Sequence, residues 1–277
     1  MSGAEAGWLA AALLAYAAAL ACAVADWRRG GWQRTGLPLL ALGLALHGVS
    51  LGVRWVEAGH GPYVSLFEVL SGNIWSLLFM FLATALLAPS VRAGTPVALA
   101  VAAVMAVWML TEPAEPRPPP ATFDTFILWI HLGLGKVFLG LSLAAAAVGG
   151  AVLARRAGLG GTGLARAPDD ARLESVAYRL LGIGLMFETL MLVAGGAFAQ
   201  EAWGRFWGWD RLETLSLLTW VLAAFALHYR AARRPGPVLA AALLWAVFAL
   251  AFLTLFGVPF ISEHPHQGTF SATGVAG

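Results

Sequence analysis

Histidines are the side chains of this sequence best suited to ligate a metal or to move a proton. There are six of them: His47, His60, His131, His228, His264 and His266. Neutral imidazole is the usual axial ligand of haem iron. The sequence contains neither an HExxH motif nor a carboxylate-rich cluster, so a zinc hydrolase is poorly supported. A single cysteine, Cys22, excludes an internal disulfide, and any thiol chemistry therefore requires the cysteines of a partner.

A tryptophan-rich segment, residues 198–214, forms the second group of candidates. Within seven residues it carries the aromatic side chains Trp203, Phe206, Trp207 and Trp209. If the segment is helical, all of these except Trp209 share one face with Asp210, and that face lies along the membrane surface. Such a face is a suitable platform for a flat ligand.

Two alternatives remain for this segment. Aromatic belts are common at membrane interfaces, and Asp210 and Glu213 have the spacing of a capping box that starts the next helix. The density of rings and the two intervening glycines favour the platform over a belt. Arg205 and Arg211 flank it, where they are able to pair with carboxylates of a ligand.

The elements that position these residues are membrane spans. Hydrophobic residues make up 60% of the 277 residues, charged residues 12%, and the mean hydropathy is +0.76. Soluble domains have roughly 45–50% apolar and about 25% charged residues. This composition excludes a soluble globule and a disordered chain, and a net charge of +2 argues against strong nucleic-acid binding.

Apolar runs of the length needed to cross a bilayer predict the fold. Eight such runs occur, at Trp8–Ala25, Leu37–Val53, Ile74–Ala88, Pro96–Leu110, Phe126–Ala154, Val176–Phe198, Leu215–Leu227 and Val238–Val258. We expect the third helix to start earlier, near Leu66, and the seventh to start inside the tryptophan-rich segment. The predicted fold class is all-α: one integral-membrane domain over residues 1–277, with about eight transmembrane helices and an outer tryptophan-rich amphipathic segment.

The arginines predict the orientation of these spans. Twelve of them fall in the first, third, fifth and seventh loops and four in the remaining loops. Because cytoplasmic loops hold Lys and Arg, both termini and the tryptophan-rich segment are expected on the outer side. This orientation puts His131 and His266 at the outer face and His228 near the cytoplasmic end of the seventh span. His47 and His60 are left open between structural and supporting roles.

Two charged residues, Lys136 and Glu188, lie inside apolar spans. Charges in such positions are expensive and are usually paired or functional. If the fifth and sixth spans pack together, the two side chains can neutralise each other. We favour this structural pair over a role in proton transfer or in binding a propionate.

Three sequence stretches carry a family resemblance. EAWGRFWGWDRLET, followed by TWVLAAFALHYR, resembles the WWD signature and the next helix of the CcsA/ResC proteins of cytochrome c biogenesis (system II), within the haem-handling superfamily that includes CcmC and CcmF. RWVEAGHGPYVSLFE is similar to the outer loop of this family. GVPFISEHPHQG resembles its C-terminal segment, in which Gly-Val precedes a histidine by nine residues, and the count leads to His266.

The resemblance implies a set of site residues. His131 and His266 correspond to the two outer ligands of haem iron, with His264 as an alternative to His266. The platform corresponds to Trp203, Trp207, Trp209 and Asp210. His228 corresponds to the ligand of a haem held within the membrane, whose second ligand comes from a CcsB/ResB-type partner.

The resemblance also implies a function. The chain is expected to bind haem b as ligand and substrate and to present it at the outer face of a bacterial plasma or thylakoid-like membrane. Cysteine thiols of a CxxCH apocytochrome c then add to the haem vinyl groups, within a holocytochrome c synthase complex. The implied partners are a CcsB/ResB-type membrane protein, apocytochrome c and a thioredoxin-like thiol reductant. The alternatives are a CcmC-type haem exporter and a membrane cytochrome subunit that retains its haem.

Overall fold

The computed structural model describes residues 1–30, 36–120, 123 and 125–257 of the chain. The α-helices of these residues are α1 (Gly3–Arg29), α2 (Gly36–Ala58), α3 (Leu66–Leu87), α4 (Thr95–Thr111), α5 (Phe126–Arg156), α6 (Gly161–Ala165), α7 (Asp170–Trp203), α8 (Arg211–Arg233) and α9 (Pro237–Phe252). A 3-10 turn at Pro89–Gly94 precedes α4, and a π turn at Leu253–Gly257 continues α9. No strand occurs within the described ranges.

Eight helical segments of the described chain are long and apolar enough to cross a bilayer, which confirms the predicted all-α membrane fold. The third begins at Leu66, as expected from the sequence. The sixth and seventh extend beyond their apolar runs, to Asp170–Trp203 and Arg211–Arg233. Their polar end residues are helical because capping side chains satisfy the first backbone N–H groups. Val258, the last residue of the final predicted span, lies outside the described residues.

Capping side chains set several helix starts. The Ser65 side chain accepts from the Glu68 backbone N–H, and the Glu68 carboxylate accepts from the Ser65 N–H, so α3 begins with a complete capping box. Asp169 caps α7 by accepting from the Arg172 N–H. These local bonds fix the residue at which each helix begins.

Helix α5 lies at the centre of the bundle, packed against α3, α7 and α9. Every residue from Phe138 to Gly149 is buried. Small side chains permit this, because a Cβ on Gly149 would stand 3.4 Å from the Ala241 backbone of α9, so the two helices are in close contact. The first turns of α5, which precede this buried stretch, carry His131 and Lys136.

Two groups of loops lie at opposite ends of the bundle. The tryptophan end comprises the start of α1, the α2–α3, α4–α5 and α7–α8 connections and the end of α9. The arginine end comprises the other described connections, where Arg155 and Arg156 both bind Asp170 and Arg230 lies 2.8 Å from Glu174. This grouping matches the division of arginines used to predict orientation, and which end faces outward stays a prediction.

Candidate functional site

A cavity of about 290 Å³ opens at the tryptophan end between α3, α5, α7, α8 and the end of α9. Ligand pockets in proteins typically measure about 300–1,000 Å³ and are mostly apolar with a few polar groups. Its wall is of this kind, and it brings together three residues predicted from the sequence, His131, Trp203 and Trp207. Lys136 and Glu188 also line it.

His131 is held by the backbone of α7. Its Nδ1 lies 3.0 Å from the carbonyl oxygen of Met191. Because a carbonyl only accepts, Nδ1 carries the proton, and in the neutral ring Nε2 then holds the lone pair that a metal requires. A second group that fixes the tautomer of an imidazole in this way is typical of metal-ligating histidines.

Two adjacent glycines of α7 make room for the aromatic part of the site. A Cβ on Gly195 would stand 2.8 Å from the His131 ring, and a Cβ on Gly196 would stand 2.5 Å from the Phe206 ring. Any larger residue would displace these rings. Sequence reasoning missed this pair, although two consecutive glycines inside a helical run are an available signal because they weaken the helix.

The tryptophan-rich segment is not one continuous helix, so the condition under which its rings would share one helical face is not met. Helix α7 ends at Trp203 and is capped by Gly204 in the left-handed conformation (φ 71°), and α8 begins after Asp210. The residues between them form an irregular connection. A glycine cap followed by a capping box ends one helix and starts another, which outweighs the 3.6-residue spacing of the rings. The connection nevertheless brings Phe206 and Trp207 to the cavity wall.

Trp207 and Trp209 have different environments. Trp207 lines the cavity, and its buried Nε1 has no hydrogen-bond partner in the described part of the chain. Trp209 is 70% exposed, is not part of the cavity wall, and contacts the Trp207 ring edge-on at a centroid separation of 5.8 Å. Its backbone is left-handed (φ 57°), which is strained for a bulky residue and recurs at functional sites.

Asp210 caps α8. Its carboxylate accepts from the Glu213 N–H at 2.8 Å, and the Glu213 carboxylate accepts from the Gly208 N–H at 2.7 Å. Glu213 lines the cavity, whereas Asp210 does not. The Arg205 guanidinium lies across Gly208, with Nη2 4.0 Å from Asp210 Oδ2. The capping role foreseen from the sequence spacing is therefore confirmed.

Lys136 and Glu188 line the same cavity without forming the expected ion pair. Helices α5 and α7 do pack together. No ion pair joins these two side chains in the described residues, however, so the distance between the Lys136 nitrogen and the Glu188 oxygens exceeds 4 Å. The Lys136 ammonium lies on the side facing α3, 3.5 Å from where a Gly72 Cβ would stand. Glu188 projects from α7, is 1% exposed, and its Oε2 has no hydrogen-bond partner within the described ranges.

The remaining described histidines lie away from the cavity wall. His47 is buried between the Tyr16 hydroxyl, 3.3 Å from Nδ1, and the Ser71 hydroxyl, 2.9 Å from Nε2, which is a structural role. His60 bonds the carbonyl of Gly61 at 2.9 Å.

His228 is exposed on α8 near the arginine end. It lies 18 residues beyond the Asp210 cap of that helix, which corresponds to roughly 27 Å, so it cannot share a ligand with His131. His264 and His266 lie outside the described residues.

A buried ionic cluster at the tryptophan end was not foreseen. Arg54 binds Glu5 at 3.0 Å, Glu68 at 2.8 Å and the carbonyl of Ala114 at 3.0 Å, and its guanidinium stacks 5.0 Å above the Phe67 ring. It therefore ties α1, α2 and α3 to the loop that follows α4. That loop continues to Pro120 on the cavity wall.

A helical bundle of membrane-crossing length, with an imidazole and indoles around a cavity at one end, defines an integral membrane protein with a candidate ligand site. The chain belongs to the cytochrome c assembly protein family, whose model matches residues 62–266, well over half of its length. It is thus a membrane protein of cytochrome c biogenesis.

Relatives named "Cytochrome c biogenesis protein CcsA" agree with this assignment and with the resemblance to CcsA. That of Synechococcus elongatus is 27% identical, covering 78% of this chain and 82% of its own. That of Gloeobacter violaceus is 26% identical, covering 91% and 93%, and that of Parasynechococcus marenigrum is 28% identical, covering 86% and 90%.

Proposed function

We propose that the chain binds haem b in the cavity at the tryptophan end and presents it at the outer membrane face for thioether attachment to a CxxCH apocytochrome c. The observation that carries this proposal is His131. In a cytochrome c assembly protein, an imidazole with Nδ1 fixed by Met191 borders a cavity walled by Trp203 and Trp207.

The residues present fit haem better than a bare metal ion. The described residues contain no group of three His, Cys, Asp or Glu side chains that could hold a metal ion. They do contain one imidazole beside indoles, two glycines against which aromatic rings pack, and a buried indole N–H without a partner in the described residues. A flat, largely apolar macrocycle with a metal at its centre matches this combination. In this proposal His266 would hold the iron together with His131, with His264 as the alternative to His266.

The chain's own part in the reaction is to bind and orient. Haem supplies the vinyl groups, across which the thiol S–H bonds of apocytochrome c add without a net oxidant. His131 and the indoles hold the ring at the surface where the apoprotein arrives. Because Cys22 is the single cysteine of the chain, the reacting thiols belong to the apocytochrome, and a thioredoxin-like reductant keeps them reduced.

A second haem near the arginine end requires a partner subunit in this proposal. His228 shares an exposed face of α8 with Leu218, Val221 and Phe225, which are 48%, 49% and 50% exposed. These residues recur at helical spacing, so the face is continuous. A CcsB/ResB-type partner that packs against this face would supply the second axial ligand.

Haem content of histidine variants tests the proposal. We expect His131→Ala to lower the haem-to-protein ratio and to change the visible spectrum, and added imidazole to restore both in part by supplying the missing nitrogen. The matched control is His60→Ala, which removes a histidine at the same end that lies off the cavity wall. A His131→Ala protein with unchanged haem content and spectrum would contradict the proposal.

Covalent attachment separates the proposal from its alternatives. Co-expression with the CcsB/ResB-type partner and a CxxCH apocytochrome is expected to yield haem that stays on the apocytochrome under denaturing conditions. Bound haem that is never attached covalently would favour the CcmC-type exporter. A permanent cytochrome subunit is less well supported, because His131 and His228 lie near opposite ends of the bundle.

A further inference from the structure

We propose that Lys136 binds a carboxylate of the cavity's ligand and thereby determines which edge of the porphyrin faces the tryptophan end. This inference rests on the proposed function, since it takes haem as the ligand. It assigns the propionate edge to the inner part of the cavity and leaves the vinyl edge toward the apocytochrome.

The face of α5 that lines the cavity has two polar margins. His131 and Lys136 are five residues apart, which corresponds to about 140° around the helix and about 7.5 Å along it. Four other cavity-lining residues lie between His131 and Lys136 in angle around the helix: Leu128, Leu132, Gly135 and Leu139. One margin of this face thus carries an imidazole, the middle is apolar, and the other margin carries an ammonium. A ligand with a central metal, a flat apolar ring and an acidic edge is complementary to this order.

The ammonium of Lys136 lies in the inner part of the cavity, against α3. It is 3.5 Å from where a Gly72 Cβ would stand, and the Pro62 carbonyl oxygen is 3.4 Å from the same point. Gly72 is seven residues beyond the Ser65 cap, about 10 Å along α3. A side chain at position 72 would contact the ammonium, and the glycine leaves that space free.

Lys136 lacks a counter-charge within hydrogen-bonding reach. Among the described residues it makes no hydrogen bond and no ion pair, and Glu188 is more than 4 Å away. Asn73, which follows Gly72 on α3 and also lines the cavity, donates its amide N–H to the Val69 carbonyl, while its Oδ1 is buried without a partner in the described residues. An ammonium inside a membrane bundle is stable only when an anion or acceptor satisfies it. A propionate carboxylate at this position meets that need.

The arginines of the tryptophan-rich segment are less suited to this role than the sequence suggested. Arg205 lies across Gly208 toward Asp210 and is not part of the cavity wall. Lys136 is the cation that lines the cavity among the residues described. Vinyl and propionate substituents occupy opposite edges of protoporphyrin IX, so an acidic edge held at Lys136 directs the vinyl edge to the open end.

The test compares two ligands that differ only at the carboxylates. The full-length chain, depleted of haem in detergent, is titrated with iron protoporphyrin IX and with its dimethyl ester, monitored by the Soret band and by tryptophan fluorescence. We expect the wild type to prefer the diacid by about tenfold or more, the scale of a charge-assisted hydrogen bond. Lys136→Met should weaken binding of the diacid to the level of the ester and leave the ester unaffected.

Further variants separate ligand binding from folding. Lys136→Arg should retain the preference for the diacid, and Lys136→Gln gives a polar variant should the methionine variant fail to fold. Glu188→Gln replaces the carboxyl group on the cavity wall by a neutral amide and is expected to leave diacid binding equal or tighter. If Lys136 and Glu188 instead served only as a structural pair, Lys136→Met and Glu188→Gln would weaken both ligands alike, and that result would overturn the inference.

The outcomes distinguish this inference from the proposed function. A wild-type preference for the diacid that persists in both Lys136→Met and Lys136→Gln overturns the inference alone, provided that His131→Ala still weakens both ligands. A wild-type chain that binds neither compound overturns the proposed function and the inference with it.

Discussion

At His131, the imidazole and the α7 backbone fit together because residue 195 has no side chain. The ring occupies the space that a Cβ would need, and its Nδ1 donates to a carbonyl one turn away, at Met191. Position and tautomer of the candidate ligand therefore depend on a residue of another helix. The same holds for Phe206, which lies over Gly196.

Gly195→Ala tests this dependence. The new methyl group would stand 2.8 Å from the His131 ring and must displace it, and overpacking of this kind costs about 1–3 kcal/mol. We expect a lower haem-to-protein ratio and a shifted Soret band. Gly182→Ala is the matched control on the same helix, because its Cβ would make an ordinary contact of 3.8 Å with Leu227. Equal spectra for the two variants would refute the role assigned to Gly195.

Arg54 is expected to determine the stability of the tryptophan end. Arg54→Met leaves the carboxylates of Glu5 and Glu68 buried without their cation, and breaking a buried pair in this way costs about 3–5 kcal/mol. Unfolding by denaturant in mixed micelles should reveal this loss, whereas Arg29→Met, an exposed arginine on α1, should change little. Adding Glu68→Gln to Arg54→Met should recover part of the stability, and a lack of any loss in the single variant would contradict the prediction.

The α7–α8 connection places its two tryptophan rings in different environments. Trp207 faces the cavity and Trp209 faces away from it, with only an edge contact between them. The sequence predicted that both rings bind the ligand, but only Trp207 lines the cavity, so we expect the two rings to contribute unequally to ligand binding.

Alanine variants of the two tryptophans measure the contribution of each ring to haem retention. Trp207→Ala is expected to weaken haem retention clearly, because it removes a cavity wall, and Trp209→Ala to weaken it less. Trp203→Phe, which preserves a ring, should have the smallest effect. Retention is measured as the haem remaining after gel filtration in detergent. Equal and small effects for all three would support a simple interfacial belt.

Asp210 caps α8, and the sequence also predicts that it belongs to the ligand site; Asp210→Asn separates the two roles. Asparagine caps helices about as well as aspartate, whereas full loss of a cap costs about 0.5–2 kcal/mol. We expect the thermal stability of α8 in the Asn variant to remain close to that of the wild type, as followed by circular dichroism. Loss of haem from this folded variant would indicate a role for the charge itself. Unchanged haem content would leave capping as the whole role of Asp210.

On the scale of the whole molecule, the candidate site and His228 are at opposite ends of the bundle, and the helix that carries His228 has one exposed apolar face. Within the described residues, α8 packs mainly against α7 and α9, while its exposed apolar face carries His228. The two proposed haem sites should therefore respond independently to substitution. The proposed partner completes only the second of them.

His228→Ala is expected to leave cavity-bound haem unchanged in the isolated chain and to lower the haem content of the complex with a CcsB/ResB-type partner. The physical reason is distance, since roughly 27 Å separates His228 from the Asp210 cap at the other end of its helix, beside the cavity. Haem is quantified by its pyridine haemochrome in both preparations. If the isolated chain matures apocytochrome c in cells without such a partner, the two-subunit arrangement must be abandoned.

Properties that depend on one span at a time could be read from the sequence. The eight spans follow from apolar runs, and the start of α8 follows from the Asp210 and Glu213 spacing, because insertion and capping are local effects. Recognition of the tryptophan-rich segment and of His131 also needed only the linear sequence. The shared helical face that the ring spacing would give does not form, because the glycine cap at Gly204 ends α7.

Properties that depend on the rotation and neighbours of a span were decided by the tertiary structure. Hydropathy predicts that α5 crosses the membrane but not which side chain faces which helix, since lipid tails and neighbouring helices are equally apolar. Only packing turned Lys136 toward Gly72 of α3 and away from Glu188 of α7. Likewise, Arg54 meets Glu5 across 49 residues of chain because the bundle closes there, which no local pattern in the sequence specifies.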